Sequence, residues 1–185
     1  MQNHLKNKTL RNSLVTASQA WSVIHDRKKL WREKTGRDDP FEGNDATAWG
    51  NDKEKFAIDA FEKEMNCITD FSDELIVHPE LPLAGTPDFF YDGCPGEVKC
   101  PYSMKVYPTI PERYYYQCQV QMAITNTLKN YFYIWTPTKT KLEIIPFNKK
   151  FMTWYLPYVL EFVEYVRTDQ EPPRFSRKPL FKIGD

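Results

Sequence analysis

The sequence predicts an α/β domain with a mixed central sheet flanked by helices, and three observations carry that reading. Apolar residues recur at helical spacing in four segments, two before residue 70, one after residue 111 and one near the C-terminus. From Phe71 to Pro101 the texture changes to short apolar runs punctuated by Pro and Gly, which suits strands and turns, and NYFYIWTP and KLEIIPF read as a buried strand and an alternating one. The resulting order is helix, helix, strands, helix, strands, helix, and it calls for helices packed on a mixed sheet. At 185 residues the chain has the size of one domain, spanning 1–185.

Each element has its own local reason. SLVTASQAWSVIHDRKKLWREKTG predicts a helix with Thr16 or Ser18 as N-cap and Ala20, Trp21, Val23, Ile24 and Leu30 on its apolar stripe, with Arg11 just ahead of it. A loop rich in Gly, Asp and Pro follows. AWGNDKEKFAIDAFEKEMNC then places Phe56, Ala57, Ala60, Phe61 and Met65 at helical spacing, with Glu54 in the first turns. Three strands come next, around Leu75 to Val77, Thr86 to Tyr91 and Gly96 to Cys100, the last two joined by the turn chemistry of DGCPG. ERYYYQCQVQMAITNTL predicts a helix with Tyr116, Val120, Ala123 and Ile124 inward and Gln119 to one side. NYFYIWTP and KLEIIPF are strands, and FMTWYLPYVLEFVEYVR is an amphipathic helix. From about residue 171 the chain is Pro-rich and basic, an arm expected to pack on its own surface or a neighbour's.

Composition narrows the function classes. Hydrophobic content of 41% and charged content of 27% are those of a globular protein, and the aromatic share of 15% is high. The 25 basic and 25 acidic residues cancel, yet they are unevenly spread. Met1 to Arg37 carries nine Lys and Arg against two Asp and Glu, Asp38 to Glu97 three against sixteen, and Val98 to Asp185 thirteen against seven. An acidic middle suits a metal site, and basic flanks suit a polyanion brought to it. Solvated helix faces would give the same runs. The cysteines, Cys67, Cys94, Cys100 and Cys118, lack zinc-finger spacing, so small buried thiols in a cytoplasmic protein are expected. MQNHLKNKTLRNS lacks the apolar run of a signal peptide, and no stretch reaches the length of a membrane span.

The segment GTPDFFYDGCPGEVKCP concentrates the chemistry. In an extended strand Glu97 and Lys99 share a face and Val98 takes the other. Asp88, on the neighbouring hairpin strand, adds a second carboxylate. Two carboxylates and a backbone carbonyl suffice for magnesium, which keeps several waters of its own. Lys99 beside them would hold or activate the attacking water and steady a phosphoryl transition state. A weak surface ion pair between Glu97 and Lys99 is the plain alternative.

Five blocks, in order, carry a resemblance: RNSLVTAS (Arg11 to Ser18), WGNDKE (Trp49 to Glu54), TPD (Thr86 to Asp88), GEVKCP (Gly96 to Pro101) and YQCQVQ (Tyr116 to Gln121). With them the chain resembles the lambda exonuclease, or YqaJ-type viral recombinase, family of the PD-(D/E)XK nuclease superfamily. The resemblance implies a restriction-endonuclease-like core. It implies that Asp88, Glu97 and the Val98 carbonyl bind Mg2+, with Mn2+ as a substitute, and that Glu54 helps a second ion. Lys99 would be the water-activating base or an electrostatic stabiliser, and Gln119 would project from its helix towards the lysine or the scissile phosphate, Gln117 and Gln121 being structural or exposed. Arg11 and Ser18 match positions that grip a terminal 5′-phosphate, an arginine fork and a hydroxyl being a ready anion site. Tyr114, Tyr115, Tyr116 and Trp135 could stack on unpaired bases, though aromatics at such spacing are usually core; only Tyr116 falls in a matching block, as a candidate DNA contact.

The implied function is a 5′-to-3′ exonuclease on double-stranded DNA ends, leaving 3′ overhangs for a single-strand annealing recombinase and working as a homo-oligomeric ring, a trimer, in the host cytoplasm if phage-encoded. Phe89 stands where the family commonly has Gly, which predicts a more regular strand after Asp88. The rivals are an endonuclease with the same Asp88, Glu97 and Lys99, and a non-catalytic DNA-binding module on the same fold. An iron–sulfur nuclease is disfavoured because the cysteines lack the clustered spacing of such a centre.

Overall fold

The structure, a computed structural model, describes residues 12–39 and 42–183. In chain order it contains β1 (Val15–Thr16), a 3-10 turn (Ala17–Gln19), α1 (Ser22–His25), α2 (Arg27–Lys34), α3 (Asp45–Met65), β2 (Ile76–Val77) and β3 (Leu83–Gly85). There follow β4 (Phe89–Tyr91), β5 (Cys94–Lys99), α4 (Glu112–Thr125), β6 (Lys129–Thr136), β7 (Lys139–Pro146) and α5 (Lys149–Arg167).

Two sheets form in place of the single expected one. β5 is central to the larger, whose order is β4-β5-β6-β7; it pairs antiparallel with β4 and parallel with β6. The smaller has the order β1-β3-β2. Of the predicted strand Thr86 to Tyr91 only Phe89–Tyr91 forms, because Pro87 has no N–H to give a ladder and the chain leaves β3 at Gly85 before entering β4. The predicted N-terminal helix is also broken. Val15 and Thr16 pair parallel with Leu83 and Ala84, and Thr16 caps the 3-10 turn in a capping box with Gln19.

α3 begins at Asp45, earlier than its apolar pattern suggests, because the Asn44 side chain accepts the Thr47 N–H at 3.0 Å. Asp92 (φ 52°) and Gly93 (φ 67°) make the two-residue turn that joins β4 to β5, the left-handed geometry of a tight hairpin.

Helices cover both faces of the larger sheet. On one, Ala57 and Phe61 of α3 pack on Phe89, Val98, Tyr131 and Tyr133. On the other, a larger core joins α4 and α5 to Phe132 and Ile134, with Tyr116, Phe151, Tyr155 and Phe162 fully buried. The C-terminal arm folds back on its own chain. Phe181 packs against Phe151 and Trp154, and Phe175 lies against Tyr158 and under the Arg27 guanidinium. No helix among the described residues is long and apolar enough to cross a membrane.

Candidate active site

The site forms where β4 ends and the edge of β5 is left open. The Asp88 N–H donates to the Gly96 carbonyl at 3.0 Å, and its carboxylate accepts the Val98 N–H at 2.7 Å. A strand residue directs its N–H and C=O to the same side. The Val98 carbonyl therefore faces Asp88 rather than β6. Packing holds this register: a Cβ on Gly96 would lie 2.1 Å from the Phe89 ring, so only glycine fits beside Glu97.

Glu97 and Lys99 share the face that meets α4, while Val98 faces α3, as the alternation predicts. Glu97 is 1% exposed and fully engaged: Oε1 accepts from the Lys99 ammonium and Oε2 from the Gln121 amide at 2.5 Å. Lys99 lies 5.1 Å from the centroid of the Tyr114 ring. Tyr114 in turn packs against Tyr107 at 5.7 Å. Glu54 enters half-buried from the third turn of α3.

Together Glu54, Asp88, Val98, Lys99, Cys100, Tyr107, Tyr114 and the N-terminal part of α3 line a cavity of about 430 Å³.

Its electrostatics follow from three carboxylates around one cation. Burial, then the Glu97 charge, raises the Asp88 pKa well above the carboxylate range, and the same two causes raise that of Glu54. Burial pulls the Lys99 ammonium down, but Glu97 and Asp88 outweigh it and leave the pKa above that of an ordinary lysine. Its two carboxylate neighbours thus favour the ammonium form of Lys99. Burial and the neighbouring carboxylates push the Cys100 thiol up to about 11, so it is not a nucleophile here.

Among the described residues no group of three or more His, Cys, Asp or Glu side chains is arranged to hold a metal ion by itself. The donor set nevertheless fits a hard divalent ion. Its ligands are all oxygen, and crowded carboxylates with raised pKa values are relieved by positive charge. The open side leaves room for the waters magnesium retains.

Asp88, the Val98 carbonyl, Glu97, Lys99 and Glu54 are therefore brought together. Three expected residues are not. Gln119 is fully buried on another side of α4, where it donates to the Pro146 carbonyl at 2.9 Å and accepts the Asn148 N–H at 2.8 Å, tying α4 to the β7–α5 connection. Gln121, expected to be structural or exposed, is the glutamine on Glu97. Tyr116 is wholly inside the core against Phe151 and Tyr155, so its ring has no face for a base. Tyr114, two residues earlier, is the aromatic at the site. Ser18 is exposed in the 3-10 turn, 3.3 Å from the Thr16 hydroxyl, and Arg11 lies outside the described residues.

Comparison with known proteins adds a family and a fold. Residues 7–128 match the profile of the YqaJ-like viral recombinase domain. No curated protein matches the sequence. Among solved structures, the alkaline exonuclease LHK-Exo from Laribacter hongkongensis superposes with a TM-score of 0.70 at 21% identity, over 86% of this chain and 90% of that one. Its complex with dAMP gives 0.72 at 21% identity, over 87% and 91%. A phage-related exonuclease from Haemophilus somnus 129PT gives 0.66 at 14% identity, over 84% and 96%. The shared architecture is a fold, with a mixed sheet flanked by helices.

Proposed function

The chain belongs to the YqaJ-like viral recombinase domain family, and on that premise we propose that it is a metal-dependent exonuclease that degrades one strand of double-stranded DNA from its 5′ end. The observation that carries the reading is the convergence of Asp88, Glu97, Lys99 and the Val98 carbonyl at the open edge of β5. The DNA substrate is also in keeping with the structural neighbours, which are exonucleases.

In the reaction a water oxygen attacks phosphorus, the bond from phosphorus to the 3′ oxygen breaks, and the water's proton leaves as the 3′ oxygen takes one up. The product is a 5′-mononucleotide. Lys99, as an ammonium, neutralises charge gathering on the phosphoryl oxygens. Asp88 and Glu97 hold the negative field that keeps Lys99 in place. Asp88, Glu97 and the Val98 carbonyl would hold a first Mg2+ and Glu54 would help hold a second. When bound, such ions, or Mn2+ in their place, supply Lewis-acid stabilisation of the attacking and leaving oxygens. The 3′ overhang left behind would serve an annealing recombinase, and a ring of identical subunits would keep the enzyme on its substrate.

The test is digestion of a linear duplex labelled at its 5′ or its 3′ end, with a closed circle alongside. Early release of the 5′ label as mononucleotide, with an intact circle, is the expected result. Cutting of the circle would make the protein an endonuclease, and binding without turnover would make it a DNA-binding module.

A further inference from the structure

Behind the acidic cluster a line of uncharged amides runs into the core. Glu97 Oε2 accepts from Gln121 Nε2 at 2.5 Å, and Gln121 Oε1 accepts from Asn130 Nδ2 at 2.8 Å. Both amide side chains are 0% exposed. Asn130, at the start of β6, keeps its Oδ1 buried with no hydrogen-bond partner. An unsatisfied buried acceptor lowers stability, so this pair is a poor choice if packing alone were at stake.

Direction is what the pair supplies. A carboxamide has one donating and one accepting end. Because Asn130 donates to the Gln121 oxygen, the Gln121 NH2 must face Glu97. It thereby claims Oε2 and leaves Oε1 to Lys99, which itself lines the cavity. With the amide reversed, an oxygen would oppose the carboxylate and push it from its place.

We infer that Gln121, locked in one orientation by Asn130, is the positioning residue that sets Glu97 for metal binding. The inference rests on the nuclease reading of the site and extends it to two residues that touch neither substrate nor ion. Partners behind metal ligands change metal affinity by about 10–100-fold when removed.

The experiment measures the Mg2+ concentration that half-saturates two responses, the metal-induced rise in Tm and the rate of 5′ label release. It is run on the wild-type protein, Gln121→Leu, Asn130→Leu and the double variant. Gln121→Leu is expected to raise both midpoints about 10–100-fold, with KM for DNA at saturating metal unchanged. Asn130→Leu shifts the midpoints less, and adding it to Gln121→Leu shifts them no further, because it acts through Gln121. Should Gln121→Leu fail to fold, Gln121→Met, of matching length, replaces it in the series. Unshifted midpoints in a folded Gln121 variant, or additive shifts in the double variant, would overturn the inference. A wild-type protein with neither a metal-induced rise in Tm nor cleavage would overturn the nuclease reading, and with it the role of Gln121.

Discussion

Two helices reach the acidic cluster from opposite faces of the sheet, and they deliver opposite kinds of group. α3 is 21 residues long, buries only Ala57 and Phe61 outright, and brings the charged, half-buried Glu54. α4 is 14 residues long, buries eight of them, and brings an amide and an aromatic, Gln121 and Tyr114. A carboxylate beside solvent remains hydrated until a cation arrives, whereas one sunk in the α4 face would lack that compensation. Of the two helices, α3 therefore contributes charge from the wet side, and α4 contributes orientation to the Glu97 and Lys99 pair that faces it.

Variants on the two faces should separate these contributions. On the α3 face, Glu54→Gln should weaken metal response by about 10–100-fold while moving stability by no more than about 0.5 kcal/mol, as at other partly exposed positions. Metal titration followed by thermal melts checks both numbers. Equal losses of affinity and stability would mean that α3 is as structural as α4.

Tyr114→Leu should slow single-turnover cleavage several-fold, matching the roughly 0.5–2 kcal/mol of a cation–π contact. An unchanged rate would remove Tyr114 from the site. Gln119→Leu should leave cleavage and metal midpoints unchanged, and should cost about 1–3 kcal/mol in denaturant unfolding through the unpaired Pro146 carbonyl and Asn148 N–H. A changed midpoint would return Gln119 to the acidic cluster.

The smallest effect concerns Asp88 and pH. Its folded pKa is raised, by burial and then by the Glu97 charge, so the folded state holds the proton more tightly than the unfolded chain does. Its ionisation therefore costs stability, and the cost grows as pH rises through the folded pKa. Asp88→Asn keeps an acceptor for the Val98 N–H. It should melt above the metal-free wild type at neutral pH, with the gap closing as pH falls through the folded pKa towards the ordinary carboxylate range. Melts at several pH values in chelator would show it; a variant that melts lower throughout would contradict the sign.

What was legible in the sequence was whatever is local. Alternation put Glu97 and Lys99 on one face, the turn residues fixed the hairpin, and together they brought Asp88 alongside. Relations between distant segments were hidden. Val15 and Thr16 read as the entry to a helix, and their strand partners Leu83 and Ala84 lie almost seventy residues away. In QCQVQ, Gln119 and Gln121 point to different sides of α4, and helix rotation against the sheet decides which meets Glu97. The same rotation buries Tyr116 and leaves Tyr114 at the cavity. That α4 would turn Gln121 inward became visible only with Asn130 beside it.

The most direct measurement of the central claim is the single-turnover rate of 5′ label release from a linear duplex, for wild type and Lys99→Ala, in Mg2+ and in chelator. The account predicts cleavage by the wild-type protein in Mg2+ alone and a loss of about 10²–10³-fold or more on removing Lys99, the scale of losing one preorganised charge-stabilising group. Release that persists undiminished in chelator, or in folded Lys99→Ala, would place the chemistry somewhere other than the open edge of β5.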